Sequence, residues 1–306
     1  MTLRARPLLL SLSLLGLLAG PLATPATAQQ QDFSQVEIKT QKVADGVWML
    51  QGAGGNLGLS AGEDGAFLID DQFAPLTDKI RAAVAEITDQ EVRFVFNTHW
   101  HFDHTGGNEN FGQAGSLIVA HDNVRRRMSV DQVMEAFNRT VPAAPKVALP
   151  VVTFAKDVTF HLNGETIHAF HVPPAHTDGD SIVHFQNANV VHMGDILFNG
   201  GYPFIDAGSG GSVDGVIHAV NKVLAMTDAD TQFIPGHGPL ANRDDLVAYR
   251  NMLEKVRTGV AALKAAGKSL EEAQAAKPTA DLDETWGGGF INADQIVAIV
   301  YGTLPD

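Results

Sequence analysis

The densest chemistry in the chain lies in ten consecutive residues, Thr98-His99-Trp100-His101-Phe102-Asp103-His104-Thr105-Gly106-Gly107. Three imidazoles and a carboxylate fall within six positions, directly after the apolar run Val92 to Asn97. His99 and His101 can project from one side of an extended segment, because alternate side chains share a face. Asp103 and His104 follow in a turn that Gly106 and Gly107 allow to close sharply. The pattern H-x-H-x-D-H arises by chance in about one chain of this length per thousand. Three more candidates sit where later apolar runs end: His176 in Pro174-Ala175-His176-Thr177-Asp178-Gly179-Asp180, Asp195 after Gly194, and His237 in Pro235-Gly236-His237-Gly238. Imidazole nitrogens and carboxylate oxygens in this number are metal ligands. The chain has no cysteine, so thiolate ligation is excluded; the donor set suits zinc and leaves iron or manganese open. Seven donors exceed the four of a closed structural zinc site.

The elements that must position these residues alternate as in an α/β fold. Apolar alternation predicts strands near 47–50, 56–60 and 66–69, a helix over 74–87 and a buried strand over 92–97 that stops at Thr98. A strand at 116–120 and helical stretches between Asp122 and Asn138 come next, and the proline-rich segment 142–152 reads as a surface loop. Two hairpins are expected: 158–162 with 165–171 around Asn163-Gly164, and 181–185 with 190–192 around 187–189. A helix around 212–225, a short strand at 231–234 and a long amphipathic helix over 243–265 complete the pattern. Ser269 with Glu272 forms a capping-box signature, and Asn292 can cap a last helix. Polar residues at strand ends are where α/β proteins collect their sites.

The first residues read as an address. Arg4 and Arg6, the apolar stretch Leu8 to Leu18, the break at Gly20-Pro21 and the small residues Ala26-Thr27-Ala28 match a signal peptide over 1–28, cleaved after Ala28. The apolar stretch is too short to span a bilayer, which takes about 20 apolar residues. A periplasmic or secreted protein is therefore expected, with no membrane contact after cleavage. Residues 29–42 read as an N-terminal extension and 43–306 as one domain with C-terminal helices. The formal charge of −14 repels polyphosphates, which makes nucleic acid a poor partner and favours a small-molecule substrate.

The ordered set of H-x-H-x-D-H, the later histidine, Gly-Asp after a strand and Gly-His-Gly resembles the metallo-β-lactamase superfamily, over roughly Val43 to Leu240. The resemblance implies a four-layer αββα sandwich with the site at one edge of two sheets. It also implies that His99, His101 and His176 hold one zinc ion, that Asp103, His104 and His237 hold a second, and that Asp195 bridges them. Two such ions bring a shared water to a pKa of about 7, so a hydroxide between them can open an ester or amide bond. Asp103 is then expected both to bind metal and to orient that hydroxide. Tyr202 is a candidate donor to a developing oxyanion, and Asp70 and Asp71 are candidates for orienting ligand histidines. His121, His161, His168, His171, His184, His192 and His218 read as ordinary strand or surface residues.

The substrate is less legible. Relatives with a cysteine at the Asp195 position are excluded, and β-lactamases with the His104-type ligand set carry serine there. Glyoxalase II-type thioesterases and lactonases share the aspartate, but the residues after Leu240 are too few for the glutathione-binding helical domain. β-Lactam hydrolysis is the first expectation and a lactonase or other esterase the alternative; the non-enzyme alternative is a periplasmic zinc-binding protein.

Overall fold

Period-two alternation does build strands, and they form two sheets. The computed structural model describes Thr2, residues 32–134, Ala136 and residues 138–305; the expected signal peptide thus lies, apart from Thr2, outside the described residues. Among these, one sheet of seven strands contains β1 (Lys39–Ala44), β2 (Val47–Gln51), β3 (Leu57–Gly62), β4 (Gly65–Ile69), β5 (Val92–Asn97) and β6 (Leu117–His121). A separate hairpin of β7 (Gln132–Met134) and β8 (Arg139–Val141) follows, and β9 (Val152–Phe154) returns to the edge of the first sheet beside β6. β1 to β4 pair antiparallel, whereas β4, β5, β6 and β9 run parallel. The second sheet is β10 (Asp157–Leu162), β11 (Glu165–His171), β12 (Ser181–Phe185), β13 (Val190–Phe198) and β14 (Gln232–His237), with only β13 and β14 parallel.

Three apolar clusters show why the sheets stack and what covers them. Val47, Met49, Phe67, Ile69 and Phe96 from the first sheet meet Ile167, Ala169, Val183, Phe185 and Ile234 from the second. The alternate residues of the same strands point outward. Leu50, Leu68 and Val95 lie under α1 (Thr77–Ala85), which contributes Ile80, Ala83 and Val84. The outer face of the second sheet, with Phe170, Ile182, Val191, Met193 and Phe233, is covered by α5 (Val213–Met226), α6 (Arg243–Ala265) and α9 (Ala293–Thr303). This is the expected αββα sandwich. Short helices fill the joins: α2 (Phe102–Thr105), α3 (Asn108–Gln113) and α4 (Asp122–Met128) on the first half, α7 (Leu270–Ala275) and α8 (Asp283–Trp286) near the end. The Asn163-Gly164 turn has φ of 57° and 70°, as a two-residue hairpin of this twist requires. Ser269 with Glu272 and Asn292 with Gln295 both close capping boxes.

Several expectations need correction. The N-terminal extension 29–42 is partly a strand: β1 pairs with β2 as an exposed polar edge, where lysines replace the apolar alternation that would have announced it. Upstream of it, Lys79 Nζ donates to the carbonyls of Phe33, Ser34 and Val36. The helical reading of Asp122 to Asn138 holds only to Met128, because β7 and β8 pair through main-chain bonds over so few residues that no side-chain period emerges. The proline-rich loop 142–152 runs directly into β9. β13 continues through Gly194 and Asp195 to Phe198, with register shifts at Gly194 that a simple alternation hides.

Phe67 is fully buried between the sheets, its ring centroid 4.8 Å from that of Phe160 and 6.3 Å from that of Phe96. Phe67→Ala should cost about 3–5 kcal/mol, read as a lower denaturation midpoint at unchanged denaturant dependence.

Candidate metal centre

The strand ends deliver seven side chains to one place. β5 ends at Asn97, the chain bends through Thr98, His99 and Trp100 rather than running extended as expected, His101 alone is extended, and α2 carries Asp103 and His104. His176 comes from the loop between β11 and β12, Asp195 from the irregular stretch of β13, and His237 ends β14. The donors fall into two groups: His99, His101, His176 and Asp195, then Asp103, His104 and His237, the donor atoms of each group lying within 4.8 Å of one another. Asp195 reaches both. Its Oδ1 is 3.1 Å from His104 Nε2, and its Oδ2 is 3.5 Å from His176 Nε2 and 3.4 Å from His237 Nε2. Asp103 Oδ2 lies 3.4 Å from His237 Nε2.

Hydrogen bonds behind the rings decide which nitrogen faces the centre. The hydroxyl of Thr98 has one proton, which goes to Asp70 Oδ2 at 2.8 Å, so His99 Nδ1–H must donate to Thr98 Oγ1 at 3.0 Å. His104 Nδ1–H donates to Asp70 Oδ2 at 2.8 Å, and His101 Nε2–H to Asp206 Oδ2 at 3.0 Å. His176 Nδ1–H donates to the Phe204 carbonyl at 2.8 Å. Each ring therefore turns its other nitrogen inward, as metal ligands with such partners do. His99 Nε2, His104 Nε2 and Asp195 Oδ1 are buried with no hydrogen-bond partner. Buried polar atoms left this way are costly, and their presence in both donor groups fits a centre built to hold metal.

Glycines make the room. A Cβ at Gly55 would overlap the His104 ring, and one at Gly236 would overlap Asp195 Oδ1. Asp180 holds the His176 loop by accepting from the main-chain N–H groups of His176 and Thr177 at 2.7 and 2.8 Å.

The electrostatics divide the histidines. Burial pushes His99 well below the usual imidazole range and His176 down to about 4, so both are neutral donors at neutral pH. Burial also opposes protonation of His104 and His237, but nearby carboxylates outweigh it. Asp195, Asp103 and Asp70 hold His104 well above its usual value, and Asp195 with Asp103 raises His237 to about 9. Burial alone would raise Asp195 and Asp103; His104 and His237 reverse this, holding Asp195 well below the carboxylate range and Asp103 at about 2.

Comparison with known proteins bears on this geometry directly. The family model described as the metallo-β-lactamase superfamily matches residues 52–240, more than half of the chain and all seven donors. The chain belongs to the metallo-β-lactamase superfamily. It is 29% identical over 170 residues to a hydroxyacylglutathione hydrolase of Nitrosococcus oceani, a match covering 55% of this chain and 57% of that protein. It is 27% identical over 200 residues to a probable hydroxyacylglutathione hydrolase of Schizosaccharomyces pombe, covering 62% and 67%. The chain thus spans just over half of the first relative's length. Among solved structures, a metallo-β-lactamase from Pontibacter korlensis superposes with a TM-score of 0.58 at 20% identity, over 71% of this chain and 99% of that one. The FIM-1 metallo-β-lactamase of Pseudomonas aeruginosa, in its mono-zinc form, gives 0.57 at 21% identity, over 72% and 96%. These likenesses speak for the superfamily fold.

Within that fold, two expectations about site residues change. Tyr202 is not placed to meet an oxyanion: it is 1% exposed, its hydroxyl donates to Asp283 Oδ1 at 2.8 Å, and its main-chain N–H donates to the Trp286 carbonyl. It ties the end of β13 to α8. Asp70 and Asp71 do different jobs. Asp70 orients Thr98 and His104, while Asp71 Oδ1 accepts from the Gly107 N–H at 2.8 Å. Asp206 was missed, although Asp206-Ala207-Gly208-Ser209 is a recognisable capped turn; besides His101 it accepts from Ser209 Oγ at 2.6 Å. His192, read as ordinary, is fully buried behind the site and donates from Nε2 to the Asn56 carbonyl at 3.2 Å.

Two predictions follow from these bonds. Asp206→Ala should weaken metal binding about 10- to 100-fold, measured by competition with a chromophoric chelator. Because His104 and His237 carry protons in the metal-free protein, metal must displace them. Affinity should therefore rise with pH up to about 9, where His237 loses its proton. Calorimetry at pH 7 in buffers of different ionisation enthalpy should record protons released per ion bound, and none released would contradict the assignment.

Proposed function

We propose that this chain is an exported metallo-hydrolase that holds two zinc ions and opens an ester- or amide-type bond, with β-lactam amides the first substrates to test. One observation carries the reading: seven donors stand in two groups joined by Asp195, with three buried polar atoms facing inward and unpartnered. Two divalent ions in such a site supply a water of lowered pKa, about 7, and polarise a carbonyl. The donor set without thiolate suits zinc.

The chain's own residues do the rest. His99, His101, His104, His176 and Asp195 are at most 5% exposed, whereas the side chains of Asp103 and His237 are 21% and 31% exposed. Substrate therefore arrives on the side of Asp103 and His237. Phe198 lies flat against His237, centroids 4.9 Å apart at 20°, and limits water on that side. Asp103 is the carboxylate within reach of both solvent and the centre, so it can orient an attacking water, take the proton that the water gives up and pass it to the leaving group. A metal-buffering protein would have no use for ligands left open to solvent.

Thioester or lactone hydrolysis is the second reading, favoured by the aspartate at 195 and by the names of the curated relatives. Export is supported by the pattern over residues 1–28 and implies a mature chain beginning at Gln29.

The experiment is turnover of nitrocefin, p-nitrophenyl esters, lactones and thioesters with and without a chelator, on protein of measured metal content. We expect close to two zinc per chain and activity that chelation abolishes and zinc restores; one iron and no zinc would overturn the reading. Asp103→Asn should lower turnover by about two orders of magnitude or more while much of the zinc stays. Near-normal turnover with full zinc would transfer proton handling to another group.

A further inference from the structure

The β7–β8 hairpin belongs to neither large sheet and stands against the metal-binding motif. On β8, Arg139 and Val141 are two positions apart and so face the same way. The Arg139 guanidinium lies 4.2 Å from the centroid of the Phe102 ring, and it makes no ion pair or side-chain hydrogen bond among the described residues. Its neighbour Arg127 is fully committed, holding Asp178 through two bonds of 2.7 and 2.8 Å. Val141 lines a cavity of about 170 Å³ together with Trp100, Phe102, Met128, Pro142 and Pro145. Trp100 and Phe102 are the spacer residues of H-x-H-x-D-H. The segment that turns His99 and His101 towards the centre thus turns their neighbours' rings into the cavity wall, and Phe102 is bonded directly to the solvent-reaching ligand Asp103.

We propose that this cavity and Arg139 form the recognition site for the part of the substrate remote from the scissile bond: an apolar group carrying a carboxylate. The proposal rests on the hydrolase reading above. An apolar cavity of about 150 Å³ is enough to take a benzene ring, so a phenyl or short alkyl group fits. Glu109 and Arg127 also line the cavity; Arg127 is spent on Asp178 and Glu109 disfavours a carboxylate inside, so the anion is assigned to Arg139, which stacks on the cavity-lining ring of Phe102. A guanidinium held over an aromatic ring is weakly hydrated and pre-set for bidentate carboxylate binding. On a chain of formal charge −14, a cation with no ion pair among the described residues, stacked on the ring that precedes Asp103 in the chain, provides local attraction for an anion.

The test compares mono-p-nitrophenyl adipate, which ends in a carboxylate, with its methyl-capped diester on the zinc-loaded enzyme. Arg139→Gln should lower kcat/KM for the anionic ester about tenfold or more, mostly through KM, and change the capped ester by less than about twofold. Arg139→Lys should recover part of the loss, and Val141→Trp, which fills the cavity, should raise KM for both esters. Equal effects of Arg139→Gln on the two esters, or none, would overturn the carboxylate assignment; an unchanged KM in Val141→Trp would overturn the cavity. If neither ester is turned over, the hydrolase reading is decided by the wider substrate panel above, and calorimetric binding of adipate decides the site. An affinity at least about tenfold weaker in Arg139→Gln supports it, and equal affinities overturn it.

Discussion

The carboxylate of Asp70 accepts from the Thr98 N–H, the Thr98 hydroxyl and His104 Nδ1–H, all at 2.8 Å. Because Thr98 spends its one hydroxyl proton there, the tautomer of His99 follows, and because His104 Nδ1 is held there, its Nε2 faces the centre. The residues after it extend this control. Asp71 holds the Gly107 N–H, and Gln72 Nε2 donates to the Gly55 carbonyl at 2.6 Å, beneath the His104 ring. Asp70 and Gln72 both adopt the left-handed backbone, with φ of 60° and 54°. Such conformations cost about 1–3 kcal/mol each and persist where the surroundings over-determine them. Here the surroundings are the Phe96 carbonyl, bonded to the Asp70 N–H, and the His104 carbonyl, bonded to the Asp71 N–H. Burial pushes the Asp71 carboxyl well above the usual range, which eases its place beside Asp70.

What places this turn opposite the other donors is the stacking of two sheets whose alternate residues fill three apolar layers. β4 and β5 run parallel, so the Asp70 turn and the Thr98 turn emerge at the same edge. In the second sheet β13 and β14 also run parallel, which brings Asp195 and His237 to that edge together. The register shift at Gly194 matters locally. Its φ of 51° and its missing Cβ let β13 pass within contact of Thr98, so the two sheets close over the site where ordinary residues would keep them apart. The same inter-sheet apolar burial that stabilises the fold thus sets the separation between the two halves of the ligand set.

The seven side chains that the structure brings together were legible because a candidate metal site demands residue types that are rare together and places them at strand ends. The elements around them were legible where a side-chain period ran long enough, as in β4, β5, the Asn163-Gly164 hairpin and α6. Other features left no such trace. β1 is a polar edge strand, β7 and β8 have three residues each, and the continuation of β13 crosses a glycine and an aspartate that break its alternation. Gly55 and Gly236 look like ordinary loop glycines until the rings they make room for are in place. Tyr202 misled for the opposite reason: a tyrosine shortly after Asp195 has the right chemistry, but its hydroxyl is spent on Asp283, eighty-one positions away in the chain. Residue type announces ligands well; it does not reveal which hydrogen-bonding groups already have partners.

The two halves of the ligand set are not equivalent, and the difference follows from where each is anchored. His99, His101 and His176 are buried and backed by Thr98, Asp206 and the Phe204 carbonyl, so their rings cannot rotate without breaking a buried hydrogen bond. In the other half, His104 shares that anchoring through Asp70, but Asp103 and His237 reach solvent. His237 is steadied by contact with Phe198, an apolar face that does not select a ring nitrogen. The proton count differs in the same direction. Burial holds His99 and His176 neutral, while Asp195 and Asp103 favour the protonated forms of His104 and His237. An ion held by the first group would meet two imidazoles already neutral, whereas one held by the second would have to displace protons and order two partly exposed side chains. Asp195 reaches both groups, so a positive charge in the first would weaken the hold on those protons in the second. Burial and the hydrogen bonds behind the rings therefore make the two groups unequal, the buried one fixed and the solvent-facing one adjustable.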